Sequence, residues 1–217
     1  MLHLRIAKNC IAGGCQVSDM PQFYLGAISP DAIHSRPGAG RLEKNVTHLI
    51  PSGPQPKTYW CDVDQNEYFN FIAQFVAANK HSANADFLLG YGIHILTDMY
   101  WTRTVYKKFM EEYEKSSSPI SEMQKVYYHD TDIHEYAIYR NCINNSDIWQ
   151  YLQIPHYANF LDLLTAEEIK LWNERTQNWF NAPENQHKFV GEPKYISALD
   201  TENFMSSCAE LIISKMR

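Results

Sequence analysis

From Phe87 to Thr102 the chain reads FLLGYGIHILTDMYWT, and apart from its tyrosines only His94 and Asp98 there can ionise. Leu88, Leu89, Ile93, Ile95, Leu96, Met99 and Trp101 surround the pair on every side. A segment apolar all round is a helix at a protein centre or in a membrane. This one is short for a span and Arg103 follows at once, so the pattern predicts a central core helix from near Asn84 to about Lys115. Phe69, Ile72, Phe75 and Val76 recur at helical spacing and predict a helix from about Asp64 to Asn79. A first helix covers His3 to Ile11 and stops at Gly13-Gly14. PQFYLGAISPDAIHSRPGAG gives a short helix that breaks near Pro30, then an irregular turn.

The second half punctuates more clearly. Ser118-Pro119 opens a helix with a cap residue and a proline at the first helical position, and MQKVYYHDTDIHEYAIYR carries it to about Asn141. Thr165 with Glu168 forms a capping box ahead of Leu171, Trp172 and Trp179. A last helix follows Asp200 or Thr201. The prolines and glycines of residues 35 to 60 predict a loop with room for function, and FNAPENQHKFVGEPKY reads as an exposed loop. Strand-like alternation is scarce and no internal repeat occurs. Seven or so helices without a sheet predict an all-α fold, a single multi-helix domain over residues 1–217.

The totals narrow the function classes. With 217 residues, 45% of them hydrophobic, the chain can fill one sizeable core. A formal charge of -6 gives no basic footprint for a long nucleic-acid duplex, although a metal could supply positive charge locally for a small phosphate substrate. Cys10, Cys15, Cys61, Cys142 and Cys208 are an odd number without a CxxC pair, as expected of free thiols in a reducing compartment. MLHLRIAKNCIAGG lacks the pattern of a secretory signal, and no run is long and uncharged enough to cross a bilayer. A cytoplasmic, not membrane-spanning protein is the expectation.

An ionised Asp98 inside an apolar helix is costly unless a cation or several donors compensate it. Residues i and i+4 share a helix face, so His94 and Asp98 can serve one metal site together, or form a purely structural hydrogen-bonded pair. Asp31, after Ser29-Pro30, sits at a fixed turn, where a capping role is the plainer reading. His48 lies in VTHLIP and His3 opens the first helix; each alone could be an ordinary loop or terminal histidine.

Taken in order, FYLGAISPDAIH, THL and FLLGYGIHILTDMYW resemble the bacterial zinc-dependent phospholipase C family, whose fold is shared with the fungal zinc nucleases. The resemblance covers roughly residues 1 to 140. It implies that His3, Asp31, His48, His94 and Asp98 converge on a cluster of one to three zinc ions, other divalent transition metals being possible. Imidazole nitrogen and carboxylate oxygen are zinc ligands, and a catalytic site keeps a position for water. Asp31, His48, His94 and Asp98 would complete one site, and Asp98 could bridge to another ion held partly by His3.

The chain also departs from that pattern. Met99 to Met110 holds no histidine, and in place of a later H-x-x-x-D stands YYHDTDIHEY. His129 and Asp132, at i and i+3, can share a face as candidate ligands or belong to a solvated polar face; His134 and Asp130 lie off it. His34, His81, His156 and His187 are expected at the surface or in support, with His34 the first candidate for an exception. The resemblance implies a metal-dependent phosphoester hydrolase that uses zinc-activated water, with Asp31 orienting the water or accepting its proton. A small phosphoester or phospholipid headgroup is the expected substrate, and Arg36, Arg41 or Lys44 could contact its phosphate. Two rivals stand beside this. One is an HD-type nucleotide phosphohydrolase built on His129-Asp130, and the other a non-catalytic, metal-stabilised helical binding module.

Overall fold

The computed structural model describes residues 1–50, 63–144 and 146–216. Its α-helices are α1 (Leu2–Ala12), α2 (Met20–Gly26), α3 (Arg41–Thr47), α4 (Gln65–Ala78), α5 (Ala85–Trp101), α6 (Lys107–Lys115), α7 (Met123–Ile138), α8 (Asp147–Tyr151), α9 (Ala166–Asn178) and α10 (Ala198–Met216). Among the described residues there is no strand, only one isolated bridge between Phe160 and Leu164. The fold is all-α, as the pattern of the chain predicts. No helix among these residues is long and apolar enough to cross a membrane.

The apolar segment is the central helix. In α5 Phe87, Leu88, Tyr91, Ile93, Ile95, Leu96 and Met99 are all buried, on every side of the helix. Leu4 and Ile6 of α1, Phe23 and Leu25 of α2, Phe69 and Ile72 of α4, and Phe204 and Ile212 of α10 complete the core around it. α2 crosses α5 at backbone contact. A Cβ on Gly90 would stand 2.0 Å from the Phe23 carbonyl oxygen, and one on Gly26 would stand 2.0 Å from that of Phe87. Only glycine permits that approach. It brings the end of α2 against the face of α5 that carries His94.

Several boundaries differ from the sequence reading. The expected single helix from Asn84 to Lys115 is α5 and α6 joined by one π-helical turn, Thr102–Tyr106. There the Thr104 hydroxyl donates to the Tyr100 carbonyl at 2.7 Å and Arg103 donates to the Val63 carbonyl. Such wide turns occur where a side chain competes for the helix ladder. Ser118-Pro119 precedes a 3-10 turn, Ile120–Glu122, before α7 starts, and α7 ends in a second π turn, Tyr139–Ile143. The expected loop over residues 35 to 60 contains α3, whose start is fixed by Glu43 Oε2 accepting from Gly40 N at 2.8 Å; residues 51 to 60 of it lie outside the described residues. The other expected loop holds a 3-10 helix, Pro183–Phe189, with Asn185 buried. The Thr165–Glu168 capping box is present: Glu168 N donates to Thr165 Oγ1 at 3.2 Å and Thr165 N to Glu168 Oε2 at 2.8 Å.

Candidate metal centre

Four elements bring the candidate ligands together. His3 stands on α1, and His94 and Asp98 stand one turn apart on α5. Asp31 lies in a 3-10 turn, Ser29–Ser35, whose proline at the start fixes its entry. His48 is the residue at which α3 ends. Among the described residues, the groups able to hold an ion are His3, His94 and Asp98, and Asp31, His48 and His94, which share His94.

Both inner histidines are aimed by backbone carbonyls. His94 Nδ1 donates to the Ala27 carbonyl at 2.9 Å, an acceptor at the C-terminal end of α2, where the helix leaves carbonyls without an internal partner. His48 Nδ1 donates to the Lys44 carbonyl at 2.9 Å. A carbonyl only accepts, so Nδ1 carries a proton in both rings, and a neutral ring so held presents Nε2 as a lone pair. That is how metal-binding imidazoles are commonly oriented. The segment around His48 is further pinned by Tyr68, whose hydroxyl donates to the His48 carbonyl, and Tyr91, whose hydroxyl donates to the Thr47 carbonyl.

What these lone pairs face is anionic. His94 Nε2 is 3.7 Å from Asp31 Oδ2 and 3.9 Å from Asp98 Oδ2. His48 Nε2 is 3.3 Å from Asp98 Oδ2 and 3.6 Å from Asp31 Oδ1. His94 Nε2 is buried and has no hydrogen-bond partner. Burial, and next the adjacent His3, push the pKa of His94 down to about 3, so it does not protonate to pair with the carboxylates. Lone pairs turned toward carboxylates repel unless a cation lies between them. Zinc ligands at about 2.0–2.2 Å in tetrahedral array stand roughly 3.3–3.6 Å from one another. The separations between imidazoles and carboxylates lie at and slightly above that range, so the residues fit such an ion.

The outer partners divide the remaining roles. His3 Nε2 lies 2.9 Å from Asp98 Oδ1, and its ring stacks on His94 at 3.8 Å between centroids. Lys44 Nζ donates to Asp31 Oδ1 at 2.8 Å, and the exposed His34 lies 3.7 Å from the same oxygen. Burial would raise the Asp31 carboxyl, but Lys44 and then His94 and His48 outweigh it and hold it well below the usual range. For Asp98 burial is likewise outweighed, first by the hydrogen bond of His3. Both carboxylates therefore stay ionised, as ligands must. The two inner histidines are closed off while Asp31 and Asp98 each keep 21% of their side-chain surface, so small solutes reach the carboxylate side of the cluster.

The remaining candidates stand elsewhere. His129 Nε2 lies 3.2 Å from the Val190 carbonyl at the surface, and Asp132 belongs to neither ion-holding group. Asp130 is fully buried and accepts from Lys194 N, Tyr195 N and Ile196 N at 2.8, 2.7 and 3.0 Å, which leaves it as an anchor for the turn before α10. His134 lies 2.7 Å from the Ile196 carbonyl in the same anchor. Of the cations considered for phosphate, Lys44 is at the cluster and Arg36 is bound to Glu168 at 2.6 Å, while Arg41 is exposed at the start of α3. His81, His156 and His187 are exposed, and so is His34, which lies 3.7 Å from Asp31 Oδ1. Glu135 stands out only in three dimensions: it accepts from Leu2 N at 3.1 Å, next to His3. No local spacing could have shown that contact. Compared with known proteins, the chain matches no family model, no curated protein and no solved structure.

Proposed function

We propose that this protein is a metal-dependent phosphoester hydrolase, phospholipase C-like in the arrangement of its ligands. The observation that carries the reading is the buried, unpartnered Nε2 of His94 turned toward two carboxylate oxygens. Asp31, His48, His94 and Asp98 would hold the ion, with His3 contributing through Asp98. A bound zinc ion supplies a Lewis acid and acidifies water. Asp31 and Asp98 orient the reacting groups from the solvent side, and the walls of α2 and α5 exclude bulk water from the histidine side. A structural zinc site is usually closed by four Cys or His ligands, whereas this cluster is rich in carboxylate and reached by solvent.

The HD-type alternative has less support, because the Asp130 carboxylate is engaged by three backbone N–H groups. The test is a panel of lipid, nucleotide and aryl phosphoesters offered to the zinc-loaded full chain. Hydrolysis of at least one, abolished by chelation and restored by zinc, is the expected result. Zinc binding without any hydrolysis would favour a metal-stabilised binding module.

A further inference from the structure

At the far end of α1 from His3, the helix closes on two thiols. Cys15 N donates to the Cys10 carbonyl at 3.0 Å and Gly14 N donates to the Ile11 carbonyl at 2.9 Å, with Gly14 at a φ of 104°. These two bonds and the left-handed glycine make a Schellman cap, which sets a residue of the last helical turn against one just past the cap. Both of those positions are cysteine here, and their side chains are hydrogen-bonded to each other. Cys10 is fully buried and Cys15 half-buried. We propose that Cys10 and Cys15 form a modification site, a dithiol that a hydroperoxide oxidises to a disulfide and a thiol reductant restores.

The two thiols are not equivalent. The hydrogen bond to Cys15, and then burial, push the pKa of Cys10 far up, so Cys10 keeps its proton. Cys15 is the sulfur that a solute meets, because it lines a groove of about 400 Å³ with Val76, Leu89, Ile213 and Met216. As a thiolate it attacks one oxygen of the hydroperoxide and the O–O bond breaks. The leaving alkoxide or hydroxide takes up the proton the thiol gave up, and Cys15 becomes a sulfenic acid. The Cys10 sulfur then attacks the Cys15 sulfur, the S–O bond breaks, and the Cys10 proton leaves with the hydroxyl as water. Two thiols have lost two electrons and the peroxide has gained them. Because the cap already holds the two residues together, the new bond needs little backbone movement. Cys208 also lies near Cys10, but it is fully buried and its thiol donates to Thr97 Oγ1 at 4.0 Å, so a peroxide does not reach it.

The test reads neither zinc nor hydrolysis, so it stands apart from the histidine cluster. Reduced full chain is treated with hydrogen peroxide, alkylated, digested without reduction and mapped by mass spectrometry. The segment holding Cys10 and Cys15 should lose two hydrogens and resist alkylation before Cys208 is modified, and dithiothreitol should return both thiols. Cys10→Ala should leave Cys15 as a sulfenic acid that dimedone traps. Cys15→Ser, which alters only the half-buried thiol, should slow oxidation of Cys10 at least about tenfold. The wild-type map decides alone where a variant does not fold. Cys10 joined to Cys208 would overturn the site. So would Cys15 driven to a sulfinic acid while Cys10 stays a thiol, or both thiols left intact after Cys142 has reacted.

Discussion

His94 Nε2 and Asp31 Oδ2 face each other at 3.7 Å in the interior of the cluster, with no hydrogen bond from the protein to that nitrogen. The histidine is held from behind by the Ala27 carbonyl, and the aspartate from outside by Lys44. Neither side chain can turn away without breaking its own anchor. The pair is therefore a fixed gap between a lone pair and an anion, and its consequences can be measured.

Removing the ring should be costly. His94→Ala removes a ligand of the ion that would compensate Asp31 and Asp98, and it frees the Ala27 carbonyl. Losing one partner of a buried charged arrangement typically costs roughly 3–5 kcal/mol. Chemical denaturation in zinc-replete buffer should show a loss of that order; an unchanged midpoint would place His94 outside the stabilising network.

Acid should weaken the metal-free protein earlier than its carboxylates alone would. The His94 pKa falls from 6.5 to about 3 on folding, with burial the leading cause. Below about pH 6.5 the unfolded chain binds a proton that the folded chain refuses. The stability contribution is thus complete above that pH and is lost as the pH falls toward 3, by at most about 1.4 kcal/mol per unit. Thermal unfolding from pH 7 to pH 4.5 should follow this slope, and His94→Asn should flatten it. Parallel slopes in the two proteins would exclude His94 as the source.

The crossing of α2 and α5 should report on the centre from a distance. Gly90→Ala would put a methyl 2.0 Å from the Phe23 carbonyl oxygen, so α2 must move and take the Ala27 carbonyl with it. A destabilisation of about 1–3 kcal/mol is expected from the overpacking. Weaker zinc binding should accompany it, because His94 loses its alignment. Full zinc affinity in a destabilised variant would show that the crossing does not position the ligand.

How much of this was readable beforehand differs by element. The central helix was legible because its burial on all sides leaves no polar face to mislead, and the turn spacing of His94 and Asp98 needs no tertiary information. Helix α3 was not legible: RLEKNVT follows Gly38 and Gly40 and keeps Leu42 and Val46 exposed, so it lacks the apolar stripe that marks a helix. The role of Asp130 was equally hidden. Its partners, Lys194 to Ile196, come from a distant stretch that carries no sign of the contact. The stacking of His3 on His94 belongs to the same class of contact, made only by the packing of α1 on α5.

Asp130 separates the two halves of the molecule experimentally. Asp130→Ala leaves three backbone N–H groups near the start of α10 without their acceptor, a loss of roughly 3–5 kcal/mol. Zinc content should be unchanged. A zinc-depleted but stable Asp130→Ala would instead point to a metal at the His129-Asp130 pair.

Asp31 tests catalysis apart from metal holding. Asp31→Asn preserves the shape of the side chain and one oxygen ligand, so zinc should be retained. Hydrolysis of the best phosphoester from the panel should still fall by about 10²–10⁴-fold if the carboxylate takes part in proton transfer. Equal rates would remove Asp31 from the reaction.

The most direct measurement is calorimetric titration of zinc into the metal-free full chain, beside His94→Ala handled identically. Wild type should bind with a saturable heat, and the variant should bind at least about 100-fold more weakly, since a lost ligand costs more than a lost supporting hydrogen bond. No saturable binding by wild type, or equal affinity in both proteins, would contradict a metal centre built on His94.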